Sequence, residues 1–149
     1  MIEVTPHTLR AALAVERWVA DVAAAGPFDT VDSLLRVASA AATPLATDEI
    51  DEAIAHHPRI GEKPAAGQTF SAAEQGANDP ATDAAIAAGN AAYESRFGRV
   101  FIIRAAGRSR AQILAELPRR LELDDDTELA IVGEQLRDIA LLRLEKTFA

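Results

Sequence analysis

The sequence predicts an all-α protein, a single compact domain of about seven or eight helices spanning residues 1–149. The length of 149 residues matches a prior of about 150 residues per domain. About a fifth of the residues are Ala, which has the highest helix propensity. Helix start and stop signals recur along the whole chain, whereas only one short run favours extended structure. Essentially no sheet is therefore expected.

Capping residues and prolines divide the first third of the chain into helices. Thr5-Pro6 predicts an N-cap and a proline in the first turn, and the apolar run that follows is stopped only by Gly26-Pro27. Asp29 is expected to cap a second helix and Thr47 a third. The third helix must end near His56-His57, because the residue before the following proline is pushed out of the helical conformation.

The middle of the chain begins with a predicted loop from Pro58 to Phe70, which contains two Pro and two Gly. The segment Ser71-Ala-Ala-Glu74 then matches a capping box, in which two side chains satisfy the first N–H groups of a short helix. Asp79-Pro80 predicts the start of a longer helix that ends at Phe97. Gly98 stands where a residue of positive φ commonly ends a helix.

The last third contains the one run that does not favour a helix, from Val100 to Ile103, which we interpret as extended chain. Ser109 predicts a helix through Leu121, although Pro118 is expected to kink or shorten it. Asp124 to Asp126 place negative charge at the positive end of a final helix. That helix is expected to run to about Phe148.

Composition excludes several classes of function. The formal net charge is 15 − 23 = −8, which argues against non-specific binding to nucleic acid or anionic membranes. No apolar run approaches the 18 or so residues that span a bilayer. The chain has no Cys, which fits a reducing cytoplasm. The dinucleotide-binding, P-loop and nucleophile-elbow motifs are not found in the sequence.

Arg143 is an anomaly of the last helix. At 100° per residue, the side chains of Leu129, Val132, Leu136 and Ile139 form one apolar stripe, and Arg143 falls in the middle of it. A guanidinium directed into a core is costly unless an anion pairs with it. Two interpretations stay open: a snorkelling or internally paired arginine, and an arginine that holds a ligand carboxylate through two hydrogen bonds.

His56 and His57 adjoin at the end of the third predicted helix. They point about 100° apart on a helix and so cannot share one role. They could be surface residues favoured by the helix dipole, or one of them could serve in acid–base catalysis. Metal binding is less favoured, because the spacing is not that of an H-E-x-x-H motif. Ser71 and Glu74 are explained by capping alone.

Gln75 is not explained by the capping box. Together with Ser71 and Glu74 it would place three hydrogen-bonding side chains at a helix N-terminus, where N–H groups already favour an anion. This second interpretation predicts a binding site for a small anionic molecule. Capping and ligand binding do not exclude each other.

Taken together, the motifs resemble the OHCU decarboxylase family, whose members act on 2-oxo-4-hydroxy-4-carboxy-5-ureidoimidazoline in urate breakdown. The matching stretches occur in order and cover nearly the whole chain. They are His57-Pro58-Arg59-Ile60-Gly61-Glu62, Ser71-x-x-Glu74-Gln75, Asn90-x-x-Tyr93-x-x-Arg96-Phe97-Gly98-x-x-Phe101-Ile102-Ile103, Gly107-x-Ser109, Ile113-Leu114 and Leu142-Arg143-Leu144.

The resemblance implies an all-helical enzyme that needs no cofactor or metal and is usually a homodimer. It assigns catalysis to His57 and Glu74, with a small molecule as the substrate. It also implies a set of residues that bind or line the substrate pocket. These are Pro58, Ser71, Gln75, Phe101, Ile102, Ile103 and Arg143.

Two alternatives to this activity stay open. A helical binding module could keep the same scaffold without turnover, and a related decarboxylase could act on another ureido or imidazoline acid. The sequence shows no signal peptide and no peroxisomal address, so we expect the cytoplasm of a bacterium. We expect no nucleic-acid or membrane partner.

Overall fold

The computed structural model describes residues 1–57 and 80–149. Within these ranges the chain forms helices and no strand, apart from an isolated antiparallel bridge between Ile2 and Phe28. The seven helices of the described residues are α1 (Pro6–Ala12), α2 (Glu16–Ala25), α3 (Val31–Ala41), α4 (Thr47–Ile54), α5 (Pro80–Phe97), α6 (Arg110–Leu121) and α7 (Asp125–Phe148). The predicted all-α class is confirmed. None of these helices is long and apolar enough to cross a membrane.

The chain divides into two compact units. The first, here the terminal unit, comprises Met1–His56 and Gly133–Ala149, and the second, the central unit, comprises His57–Val132. The division falls inside α7, so this helix contributes its first turns to the central unit and the rest to the terminal unit. Each unit buries apolar side chains of its own.

The terminal unit packs around Trp18 of α2, which is fully buried. Burying an indole requires a partner for its N–H, and Trp18 Nε1 donates to the carbonyl oxygen of Ala38 in α3 at 3.0 Å. On the surface, Arg17 of the same helix pairs with Glu49 of α4, with Nε and Oε2 2.7 Å apart. These contacts hold α2 against α3 and α4.

The first predicted helix is wrong in one respect, because the chain breaks it into α1 and α2. The break lies between Ala12 and Glu16, where Leu13 and Val15 adopt extended backbone conformations. Both side chains are buried, with at most 1% of their surface exposed. Neither Gly nor Pro marks this break, so tertiary burial has overridden a favourable local propensity.

Two helix caps differ from the prediction by one residue. Thr30, not Asp29, caps α3, and its hydroxyl accepts the backbone N–H of the residue three positions later at 3.1 Å. Thr47 is already the first helical residue of α4, and Ala46 is its N-cap. The side chain of Glu49 accepts the Ala46 N–H at 3.0 Å, so the acidic first turn does part of the work expected from Thr47.

Most predicted boundaries in the central unit are confirmed. Helix α5 ends at Phe97, and Gly98 follows with φ of +72°. The Ser109 hydroxyl accepts the Gln112 N–H at 3.1 Å and so caps α6. The expected shortening by Pro118 is wrong, because α6 continues to Leu121. A proline one turn before the end removes a single backbone donor, and the buried apolar face of the helix offsets that loss.

The core of the central unit joins α5, α6 and the segment between them. It consists of Tyr93, Phe101, Ile103, Ala105, Ile113 and Leu117, which are all buried. The rings of Tyr93 and Phe101 meet edge to face with their centroids 5.1 Å apart. At Gly89 a Cβ atom would lie 2.5 Å from Leu117 Cδ1, so this glycine lets α5 approach α6 closely.

Candidate functional site

The sequence-predicted site residues fall into three groups. Pro58, Ser71, Glu74 and Gln75 lie outside the described residues. His57 is described, and it follows the end of α4 as a half-buried residue at the start of the central unit. The remaining predicted residues belong to α7 and to the segment before α6.

The segment Phe101–Ile103 is non-helical, as predicted, and connects α5 to α6. Its three side chains are buried, with 0–3% of their surface exposed. A segment without helical hydrogen bonds has backbone N–H and C=O groups that must find other partners. Such groups can bind the oxygens of a ligand if the segment is held at a fixed position.

Arg143 is buried, as predicted from the apolar stripe of α7. It is 6% exposed, and Val132, Leu136 and Ile139 of the same stripe are buried with it. Its Nη1 atom donates to the carbonyl oxygens of Ala11 and Ala12 at 3.4 and 3.3 Å. These carbonyls end α1, where a helix carries partial negative charge and lacks its own N–H partners.

The contacts of Arg143 explain how the terminal unit accommodates a buried cation. Both carbonyl bonds use Nη1, one of the three nitrogen atoms of a planar guanidinium. They fix the side chain against the end of α1 and so orient the planar group. These carbonyl contacts are compatible with ligand binding by the same group.

A second buried arginine, Arg120 of α6, was not predicted. It pairs with Glu128 of α7, and each of the two side chains is 2% exposed. Arg120 Nε lies 2.8 Å from each of the two Glu128 carboxylate oxygens, and Arg120 Nη2 also donates to Glu128 Oε1. A charge-assisted pair of this geometry is specific in both distance and direction.

The Arg120–Glu128 pair extends to the residues around it. The Tyr93 hydroxyl donates to Glu128 Oε1 at 2.5 Å, and Arg120 Nη2 donates to the carbonyl oxygen of Ile102 at 3.1 Å. The Arg120 guanidinium also lies over the Phe101 ring, 4.9 Å from its centroid. Burial, and then the hydrogen bond to Glu128, raises the pKa of Tyr93, so the phenol remains a hydrogen-bond donor.

The periodicity that revealed Arg143 could also have revealed Arg120. In α6 the buried residues are Ile113, Leu117 and Arg120, and the spacing of four and then three residues defines one helix face. Glu128 gave no comparable signal, because acidic residues are expected in the first turn of a helix. Its role depends on a partner eight residues earlier in the chain.

Comparison with known proteins gives consistent matches. The model of the family described as OHCU decarboxylase matches residues 3–145. A crystal structure of OHCU decarboxylase in the presence of (S)-allantoin is 26% identical in sequence and superposes with a TM-score of 0.81, covering 95% of this chain and 97% of that chain. A structure of (S)-allantoin synthase shares the fold, with 20% identity, a TM-score of 0.68 and coverage of 96% of this chain and 49% of the other.

A curated relative also matches. The uric acid degradation bifunctional protein TTL from Arabidopsis thaliana is 32% identical over an alignment of 107 residues, and the match covers 66% of this chain. The matched region is 33% of that protein, so the chain spans about a third of the length of this curated relative.

Proposed function

The chain belongs to the OHCU decarboxylase family, and from that premise we propose that it is a carboxy-lyase that converts 2-oxo-4-hydroxy-4-carboxy-5-ureidoimidazoline to (S)-allantoin. The observation that carries the proposal is the match of the family model to residues 3–145. The likeness to an OHCU decarboxylase structure over 97% of that chain supports it. We propose further that residues 1–149 form one such domain, since the matched range includes parts of both units.

The proposed reaction breaks one carbon–carbon bond. The carboxylate leaves as CO₂, and its bonding electrons move towards the adjacent ring imine, whose nitrogen takes a proton. The hydroxyl group then loses its proton to become a carbonyl, and the neighbouring ring carbon is protonated on one face to give the S product. Because the ring itself accepts the electrons, the proposed route uses no cofactor and no metal.

The proposed roles follow the chemistry of each residue type. His57 contacts the carboxylate or hydroxyl group and exchanges a proton, which suits an imidazole at neutral pH. Glu74, the second catalytic residue, and Gln75 bind the ring and ureido nitrogens, and Ser71 and Pro58 are further substrate-binding residues. The motif resemblance supports these assignments.

The oxygens of the substrate need positively polarised donors. We propose that these donors are the Arg143 guanidinium and the backbone N–H groups of Phe101 and Ile103. Ile102 belongs to the same substrate-binding segment. A preorganised guanidinium and fixed amide dipoles stabilise charge that develops as CO₂ leaves. The burial of Arg143 supports the assignment, since electrostatic contacts strengthen away from water.

We propose in addition that the protein is a homodimer in the cytoplasm of a bacterium, acting on a small molecule. The family resemblance and the Cys-free composition support this proposal. Light scattering coupled to size-exclusion chromatography measures the oligomeric state directly, and a mass of one chain would contradict it.

The test of the activity uses substrate generated freshly from urate with the enzymes that act upstream. Its decay is followed by absorbance, and the circular dichroism of allantoin reports the S product. We expect the wild-type protein to accelerate both signals, and His57→Gln or Glu74→Ala to abolish most of that acceleration. His56→Gln is the matched control, because this exposed neighbour has no assigned role.

The outcomes separate the alternatives. Decay of the substrate at the uncatalysed rate contradicts the decarboxylase proposal and favours a binding module. Activity on another ureido acid alone would favour a related decarboxylase. Near-normal turnover by the His57→Gln variant would remove the catalytic assignment of that residue while leaving the reaction in place.

A further inference from the structure

We propose that the buried network of Tyr93, Arg120 and Glu128 is a positioning device for the reaction, because it holds the backbone of Phe101–Ile103 in place for the substrate. This inference rests on the proposed function and deepens it. None of the three polar side chains is assigned to touch the substrate. Arg120 acts through the segment that it contacts, and Tyr93 and Glu128 act through Arg120.

Arg120 contacts the segment Phe101–Ile103 at two points. Arg120 Nη2 donates to the Ile102 carbonyl oxygen at 3.1 Å, and the same guanidinium lies over the ring of Phe101 at 4.9 Å. Phe101 also meets the edge of Tyr93 at 5.1 Å between centroids. The segment has no helical or sheet hydrogen bonds, so these side-chain contacts supply a restraint that secondary structure does not.

The backbone conformation of this segment determines which of its N–H and C=O groups can face a ligand. Successive residues of such a chain direct their N–H and C=O groups to opposite sides. For the extended conformation that the sequence predicts from Val100 to Ile103, an Ile102 carbonyl held by Arg120 on one side leaves the N–H groups of Phe101 and Ile103 directed to the other. These are the two N–H groups to which we assign substrate oxygens.

The bidentate pair makes this restraint rigid. The Glu128 carboxylate accepts hydrogen bonds from Nε and Nη2 of Arg120 and from the Tyr93 hydroxyl. The guanidinium therefore cannot rotate without losing several hydrogen bonds. Glu128 in turn lies on α7 and Tyr93 on α5. Two helices thus fix the arginine of a third, and the arginine fixes the segment.

The experiment separates positioning from stability by replacing the whole polar network with apolar side chains. The triple variant Tyr93→Phe/Arg120→Met/Glu128→Leu removes both charges together, and replacing a complete buried ion pair is often neutral for stability. We expect a folded protein with a melting temperature close to that of the wild type. We expect kcat to fall at least tenfold with a smaller change in KM, because misplaced N–H groups lose contacts that strengthen in the transition state.

Arg120→Lys is the second variant. It keeps a positive charge beside Glu128 but lacks the planar fork that reaches Glu128 and the Ile102 carbonyl at once. We expect it to fold and to show the same kcat defect, so a triple variant that fails to fold does not end the test. Arg119→Met is the matched control, because this neighbour on α6 is 72% exposed and should keep wild-type kcat.

Wild-type kcat in a folded triple variant, or in Arg120→Lys when the triple variant does not fold, overturns the positioning role. If kcat falls by the same factor in Arg119→Met, the effect is not specific to the network and the role is also overturned. Absence of turnover in the wild-type protein overturns the proposed function, and with it this inference. The first two results leave the decarboxylase proposal intact, so the failures are distinguishable.

Discussion

Two arginines are buried among the described residues, Arg120 and Arg143, and they contact different kinds of partner. Arg120 of the central unit donates to the carboxylate of Glu128, and the pair has no net charge. Arg143 of the terminal unit donates to two carbonyl oxygens at the end of α1. A carboxylate offers a full negative charge, whereas helix-end carbonyls offer about half of one between them.

The difference shows what each environment is suited to do. A neutral bidentate ion pair between two helices is a fixed structural element. Removing one partner of such a pair leaves the other partner as an unpaired buried charge, which is strongly destabilising. The carbonyl oxygens at the end of α1 give the Arg143 guanidinium a defined direction. We therefore associate Arg120 with the position of the backbone and Arg143 with the anionic substrate.

The largest expected effect on activity comes from Arg143→Met. Loss of a buried guanidinium that meets the substrate should lower kcat/KM at least about 100-fold, which corresponds to roughly 2.7 kcal/mol of transition-state stabilisation. Arg143→Lys should recover part of this loss, since it restores charge without the fork. The measurement is the initial rate of substrate decay at several substrate concentrations.

Arg137→Met is the control for that prediction. It removes an arginine from the same helix, at a position that pairs with its neighbour Asp138 and is 24% exposed. We expect kcat/KM within about twofold of the wild type. A variant at Arg143 with full activity would contradict the assignment to the substrate, and a lowered melting temperature in that variant would show that the guanidinium serves to cap α1.

The largest expected effect on stability comes from Arg120→Met alone. Glu128 would then be a buried carboxylate without its cation, which costs roughly 3–5 kcal/mol of unfolding free energy. At about 2–4 °C per kcal/mol for a chain of this size, the melting temperature should fall by roughly 6–20 °C. Urea denaturation measures the free energy directly.

The triple apolar variant sharpens this second prediction. It should be more stable than Arg120→Met, because the uncompensated carboxylate is removed with its partner. Arg119→Met should change the unfolding free energy by less than about 0.5 kcal/mol, as exposed substitutions usually do. Equal losses in the single and triple variants would mean that packing of the arginine stem, not charge, dominates.

Much of the helical architecture could be predicted from local signals. These signals act through hydrogen bonds or dihedral limits within a few residues. Examples are the proline after Thr5, Gly98 after Phe97 and Ser109 before α6. The break between α1 and α2 could not, because Leu13 and Val15 leave the helix to be buried by tertiary contacts. Local signals also predict too large an effect of Pro118. The packed face of α6 stabilises the helix by more than one missing backbone donor destabilises it.

The same division applies to the site. Arg143 was found because a charged residue interrupts an apolar stripe, which is a feature of one helix. The Arg120–Glu128 pair needs two helices and the carbonyl of a third segment, so no single period contains it. The assignments of His57 and Glu74 came from ordered motifs of the family, and they stay predictions until the variants are measured.

The smallest expected effect concerns the ion pair of Arg17 and Glu49, which is the partly exposed counterpart of the buried pair. Arg17 is 41% exposed, so solvent screens the pair and Glu49→Gln should cost about 1 kcal/mol or less at pH 7. The hydrogen bond from Arg17 lowers the pKa of Glu49 from 4.5. A lowered pKa in the folded state stabilises the fold at pH above the unfolded value.

This contribution should therefore be complete above about pH 4.5 and disappear as the pH falls through the lowered pKa of the folded protein. Urea denaturation at pH 7 and at successively lower pH should show the wild type and Glu49→Gln converging, because both then carry a neutral side chain. A gap that stays constant with pH would assign the effect to the cap of α4 at Ala46. If Glu49→Gln lowered the unfolding free energy as much as Arg120→Met does, burial would not explain the difference in strength between the two ion pairs.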